Sequence, residues 1–150
     1  MFEEAKKVIS ESSEQSSIYI GSDSIRYKKD DDWYARYSTV VILHKDSKHG
    51  CKIWSNSVEM RDYTSLKQRL MTEASLAINA AMEIIDIVGN RKLEIHLDIN
   101  PNPKYKSNIA VTEALGYVRG LLGFDAKIKP EAFAATNCAD HFSRSNSINR

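Results

Sequence analysis

The sequence predicts a mixed α/β domain: a five-stranded mixed sheet in the order β-β-β-α-β-α-β-α, with helices packed on it. Three observations point there. Apolar residues alternate with polar ones in three early segments, the period of a half-buried strand. From about Thr64 to Val88 the apolar spacing changes to three and four residues, the period of an amphipathic helix. Beyond Val88, strand-like and helix-like segments take turns, which requires parallel strands joined by right-handed crossovers.

Residues 1–17 carry a weak helical pattern (Phe2, Ala5, Val8, Ile9) and then a polar run, Ser10 to Ser17, that reads as a loop. The first strand is Ile18-Tyr19-Ile20-Gly21-Ser22-Asp23-Ser24-Ile25. Alternation sets Tyr19, Gly21, Asp23 and Ile25 on one face and Ile18, Ile20, Ser22 and Ser24 on the other. Arg26 to Asp32 reads as a charged turn, Trp33 to His44 as the second strand and Cys51 to Val58 as the third. Their short connections favour an antiparallel meander. The long helix presents Leu66, Leu70, Ala74, Ala77, Ala81, Ile84 and Val88 on one side, with Asp62 or Thr64 to cap its start and Gly89-Asn90 to end it. Leu93 to Asp98 reads as the fourth strand, and a second helix runs from near Ser107 to Leu122 with Gly123 as its stop. Phe124 to Lys129 alternates as a fifth strand closed by Pro130. A short last helix turns Ala135, Ala139 and Phe142 inward.

At 150 residues the chain reads as a single domain, residues 1–150, with 1–17 as an N-terminal extension. Apolar residues at 42% and charged residues at 27% are ordinary for a globular protein. A net charge of +1 gives no overall field for nucleic acid or membrane, so an anionic partner would need a local patch. No apolar run approaches the roughly 20 residues of a membrane span, and the N-terminus lacks the pattern of a signal peptide. Cys51 and Cys138 have no second pair at zinc-finger spacing and read as buried thiols in a reducing, cytoplasmic setting.

The chemistry centres on Asp23. An ionised carboxylate on a largely covered strand costs several kcal/mol unless it is compensated, and a bound cation is a common compensation. Gly21, two residues earlier on the same face, together with the strand position supports metal binding at Asp23. Asp98 closes the fourth strand ahead of Ile99-Asn100-Pro101, and Glu73 stands at the edge of the long helix's apolar stripe. Lys104-Tyr105-Lys106-Ser107-Asn108, at the start of the second helix, combines two cations with an aromatic ring; Lys104 and Lys106 suit phosphate and Tyr105 suits a base. Ser22, Ser24 and Asn100 suit contacts to a sugar–phosphate chain and its 2′-hydroxyls. His96 reads as a packed strand residue, and Glu94 and Glu113 as structural carboxylates.

The order of elements, with acids in the first strand, the long helix, the end of the fourth strand and the last helix, resembles the ribonuclease H-like fold. The closer resemblance is to the YkuK-type family of ribonuclease H-like proteins. It runs over roughly residues 18 to 145 through Ile20-Gly21-Ser22-Asp23-Ser24, His96-Leu97-Asp98-Ile99, Gly116-Tyr117-Val118-Arg119-Gly120, Gly123-Phe124, Ile128-Lys129-Pro130, Ala134-Ala135 and Ala139-Asp140. The resemblance implies a catalytic, metal-holding set of Asp23, Glu73, Asp98 and Asp140. It also implies two Mg2+ or Mn2+ ions bridged by Asp23, and RNA or an RNA–DNA hybrid as partner. Two such ions about 3.5–4 Å apart activate water and stabilise the departing oxygen of a phosphodiester. The rival expectation is a non-catalytic module of the same fold that binds nucleic acid or a protein.

Overall fold

The computed structural model of the chain describes residues 1–62, 65–105, 108 and 111–139, with only the backbone of Asn137 and Cys138. In chain order the elements are α1 (Glu3–Glu11), β1 (Ser17–Lys29), β2 (Asp32–His44), β3 (Cys51–Arg61), α2 (Leu66–Val88), β4 (Lys92–Leu97), α3 (Val111–Leu122) and a short π-wound helix, α4 (Ala134–Ala139). Among the described residues the sheet has four strands, ordered β3-β2-β1-β4. β1, β2 and β3 pair antiparallel, and β4 lies parallel to β1.

The expected fifth strand is the main correction. Residues 124–129 do lie along β4, but they form a single parallel bridge, His96 to Lys127. Lys127 N–H donates to Ile95 O at 2.8 Å, and Leu97 N–H donates to Lys127 O at 2.9 Å. Past Leu97 the chain bends, with Ile99 N–H donating back to Leu97 O, so only Lys129 N–H, on Ile99 O at 3.0 Å, continues the contact. A ladder needs two straight partners, and β4 stops being one at Leu97.

The first hairpin is longer than its sequence suggests. β1 continues to Lys29, and Lys29 pairs with Asp32 across Asp30 and Asp31, whose φ angles are 51° and 67°. Two successive left-handed residues make the tight turn that matches strand twist, and Asp tolerates that conformation. The charged residues Arg26 to Lys29 therefore belong to the ladder rather than to a loop. α2 is capped by Ser65, whose hydroxyl accepts from Gln68 N–H at 3.3 Å. Asp62 is instead buried between Arg26, at 2.6 Å, and Arg69, at 3.7 Å. Thr64, Ser107 and Phe142 lie outside the described residues. Cys51, expected to be buried, is exposed at the first position of β3, an edge strand whose side chains mostly face solvent.

Strand alternation divides the molecule into two layers. Ile18 and Ile20 of β1, Val41 and Leu43 of β2, and Ile95 and Leu97 of β4 share the main core with α1, α2 and α3. Tyr19, Val40 and Ile42 face the other way, against Ala134 and Ala139 of α4. α4 lies so close to β1 that a Cβ built on Gly21 would meet Ala134 C and Ala135 N at 2.4 Å. No side chain fits there, which is why this strand position needs glycine. Among the described residues no helix is long and apolar enough to cross a membrane.

Candidate functional site

β4 leaves the sheet after Leu97, paired with Ser22, while β1 runs on to Lys29. From Asp23 onward β1 has no β4 partner, and Asp23 and Asp98 are the next residues along their two strands. The end of a parallel pair is where an α/β sheet holds polar side chains away from its core. Asp23 is buried, 6% exposed, and alternation places it on the α4 face with Gly21.

Asp98 is held by two residues from the part of the chain that follows α3. The Lys129 ammonium lies 2.8 Å from Asp98 Oδ1, and the Thr136 hydroxyl donates to the same oxygen at 3.4 Å. The hydrogen bond to Asp98 raises the Lys129 pKa above its usual value, with the charges of Asp98 and Asp23 adding to it. Asp23 and Asp98 therefore act on one cation.

Glu73 approaches from the α2 side. It is buried, and Ser24 Oγ donates to its Oε1 at 2.5 Å. Burial first, and then the charge of Asp98, push its pKa up to about 8 against the opposing effects of Ser24 and Arg69. The acid read as lying at a stripe edge is thus an interior carboxyl whose surroundings favour its protonated form. Among the described residues, no three Asp, Glu, His or Cys side chains converge on one point where a metal could sit. Asp98 is turned to Lys129 and Glu73 to Ser24.

The remaining expected residues divide. Ser22 is fully buried beside Thr39, with 3.3 Å between the hydroxyls, closed to a large ligand in this conformation. Ser24 is engaged with Glu73. Asn100 lines the cleft beyond Asp98, where its Oδ1 accepts from Asn102 N–H. Lys104 is exposed, its ammonium 5.8 Å from the Tyr105 ring. Asp140 and Lys106 lie outside the described residues.

Sequence reasoning missed the part that ties these groups together. His96 is fully buried; its Nδ1 accepts from Ala134 N–H at 3.1 Å, and its Nε2 lies 2.9 Å from Glu94. A ring nitrogen that accepts must be unprotonated, so the other carries the proton and donates to Glu94. Burial lowers the His96 pKa, only partly offset by Glu94, and keeps the ring neutral. Through this ring, β4 fixes the start of α4 and with it Thr136. The signal was the alternation Glu94, His96, Asp98 on one strand face. Lys129 left a fainter trace, as the last residue of the alternating segment before Pro130.

Comparison with known proteins agrees with this architecture. A family model described as "Ribonuclease H-like" matches residues 1–144. The uncharacterized protein YkuK of Bacillus subtilis (strain 168) is 25% identical over 142 residues, covering 85% of this chain and 78% of that protein. No solved structure matches significantly. With the mixed sheet, the acids at the end of its parallel pair and a family match over nearly the whole chain, the protein belongs to the ribonuclease H-like family and is of the YkuK type.

Proposed function

We propose that the protein is a divalent-metal-dependent nuclease that hydrolyses phosphodiester bonds of RNA, including RNA paired with DNA. The observation that supports this most is Glu73: an interior carboxyl facing the end of the parallel pair, its pKa pushed up by burial and by the charge of Asp98. Strongly perturbed acids at a sheet end are costly to a fold and gather at functional sites. The residue types suit a hard cation, since Asp23 on β1, Glu73 on α2 and Asp98 just past the end of β4 offer carboxylate oxygens. Asp140 is the fourth expected donor.

Bound there, Mg2+ or Mn2+ would supply an activated water and a positive charge beside the leaving oxygen. The chain's own groups do the rest. Ser24 fixes the rotamer of Glu73, and Thr136 and Lys129 orient Asp98. Lys129 also keeps a positive charge where the phosphate would lie. Asn100 lines the open cleft beside Asp98, and Lys104 is exposed in the loop that follows.

A second reading, a non-catalytic module that binds nucleic acid or a protein, is favoured by the Lys129–Asp98 ion pair, which neutralises Asp98 without a metal. Replacing Asp23 separates the two. Wild-type protein should cleave labelled RNA or hybrid with Mg2+ or Mn2+. Asp23→Asn should lower the rate by about a hundredfold or more, the scale of losing one electrostatic contact to the transition state. Its melting temperature should stay close to wild type. Full activity in Asp23→Asn would remove the nuclease reading, and no cleavage by the wild type would leave the binding module.

A further inference from the structure

Beside Asp98 lies an open cleft of about 520 Å³, lined by Asn100, Pro101, Lys129, Pro130, Phe133 and Thr136. Its volume falls within the range of small-ligand sites. Three kinds of surface meet in it: an aromatic ring with two prolines, two neutral polar side chains, and one ammonium. Two of its residues, Lys129 and Thr136, are those that hold Asp98.

Phe133 is the unusual member. Its neighbours Ala132, Ala134 and Ala135 are buried, yet its ring is 40% exposed. The ring is not loose. Tyr19 packs against it at 4.9 Å between centroids and His96 at 4.7 Å, both edge to face. His96 is fully buried and fixed at both nitrogens. An aromatic side chain held rigid from behind and left open in front is a stacking platform whose ordering cost has already been met by the fold.

We propose that this cleft is a nucleotide subsite, in which a base stacks on Phe133 while the attached phosphate lies against Lys129, next to Asp98. This rests on the nuclease reading and names where that substrate's nucleotide is held. The match is chemical: a flat π-surface for the ring, polar groups for the sugar, and a cation for the phosphate. Stacking tolerates every base, so the subsite grips a strand without reading sequence.

Calorimetric binding of adenosine 5′-monophosphate and of ribose 5-phosphate, with manganese and with EDTA, tests it. Both ligands carry the same phosphate, so the difference reports the base alone. The nucleotide should bind about 5- to 150-fold more tightly, the fold-change for a stack of about 1–3 kcal/mol. That advantage should disappear in Phe133→Ala and in Phe133→Leu, which keeps apolar volume if the smaller residue unfolds, and should survive in Phe133→Tyr. Lys129→Gln should weaken both ligands while leaving their ratio unchanged. Equal wild-type affinity for the two ligands, or an advantage unchanged in Phe133→Ala and Phe133→Leu, overturns the subsite. Cleavage is a separate readout. A base advantage without metal-dependent cleavage leaves the subsite standing and removes the nuclease reading; cleavage without a base advantage does the reverse.

Discussion

Glu73 concentrates the energetics of the site in one side chain. The residue is 4% exposed, and burial raises its pKa from the ordinary 4.5 to about 8. Between those values the folded protein holds a proton that the unfolded chain has released, so stability falls as pH rises through that window. His96 acts in the opposite sense: its lowered pKa costs stability as pH falls through about 6.5. The informative quantity is therefore the difference between wild type and Glu73→Gln, in which the His96 contribution cancels. Urea melts from pH 5 to 8 in EDTA should show the variant gaining on the wild type at each step upward. A parallel pair of curves would mean Glu73 is ionised throughout. That this acid matters was half legible. Its place in the helix was clear from periodicity, but its hydrogen-bond partner Ser24 and the charge of Asp98 stand 49 and 25 positions away, which no local pattern reveals.

Among the elements, the contact of α4 with β1 decides whether the site exists. Gly21 lets α4 lie against the strand, and the His96–Ala134 hydrogen bond fixes where α4 begins. Gly21→Ala would drive a methyl group into the backbone of Ala134 and Ala135. The expected cost is about 1–3 kcal/mol or more, as for other overpacked interiors. Thr136 and Phe133 should shift with α4, so nucleotide affinity should fall even at temperatures where the variant stays folded. A chemical melt and a binding isotherm on the same sample check both; wild-type stability would show that α4 rides loosely. That Gly21 is unusual was readable, because glycine weakens a strand interior, although the sequence pointed to it only as support for a metal at Asp23. The partner it makes room for was not. The fifth strand failed for a related reason: alternation marked Phe124 to Lys129 as strand-like, but ladder length was set by the bend after Leu97 in another segment. The extension of β1 to Lys29 was hidden because charged residues read as a turn until Asp30 and Asp31 are seen to form it.

At the scale of the whole molecule, the sheet brings Asp23 and Asp98 to the end of one parallel strand pair, and α2 brings Glu73 to the same end. The element order and crossover helices followed from periodicity and the antiparallel meander from its short connections, since each is a local pattern along the chain. The Lys129–Asp98 pair did not, because it joins the exits of two neighbouring segments. If these carboxylates are gathered to bind a divalent ion, binding must displace the proton on Glu73. Titrating the protein with manganese at pH 7 by calorimetry, in two buffers of different ionisation enthalpy, counts that proton. The expected result is saturable binding with release approaching one proton, and loss of that release in Glu73→Gln. Binding without proton release, or no binding at millimolar manganese, would contradict a metal site built on Glu73.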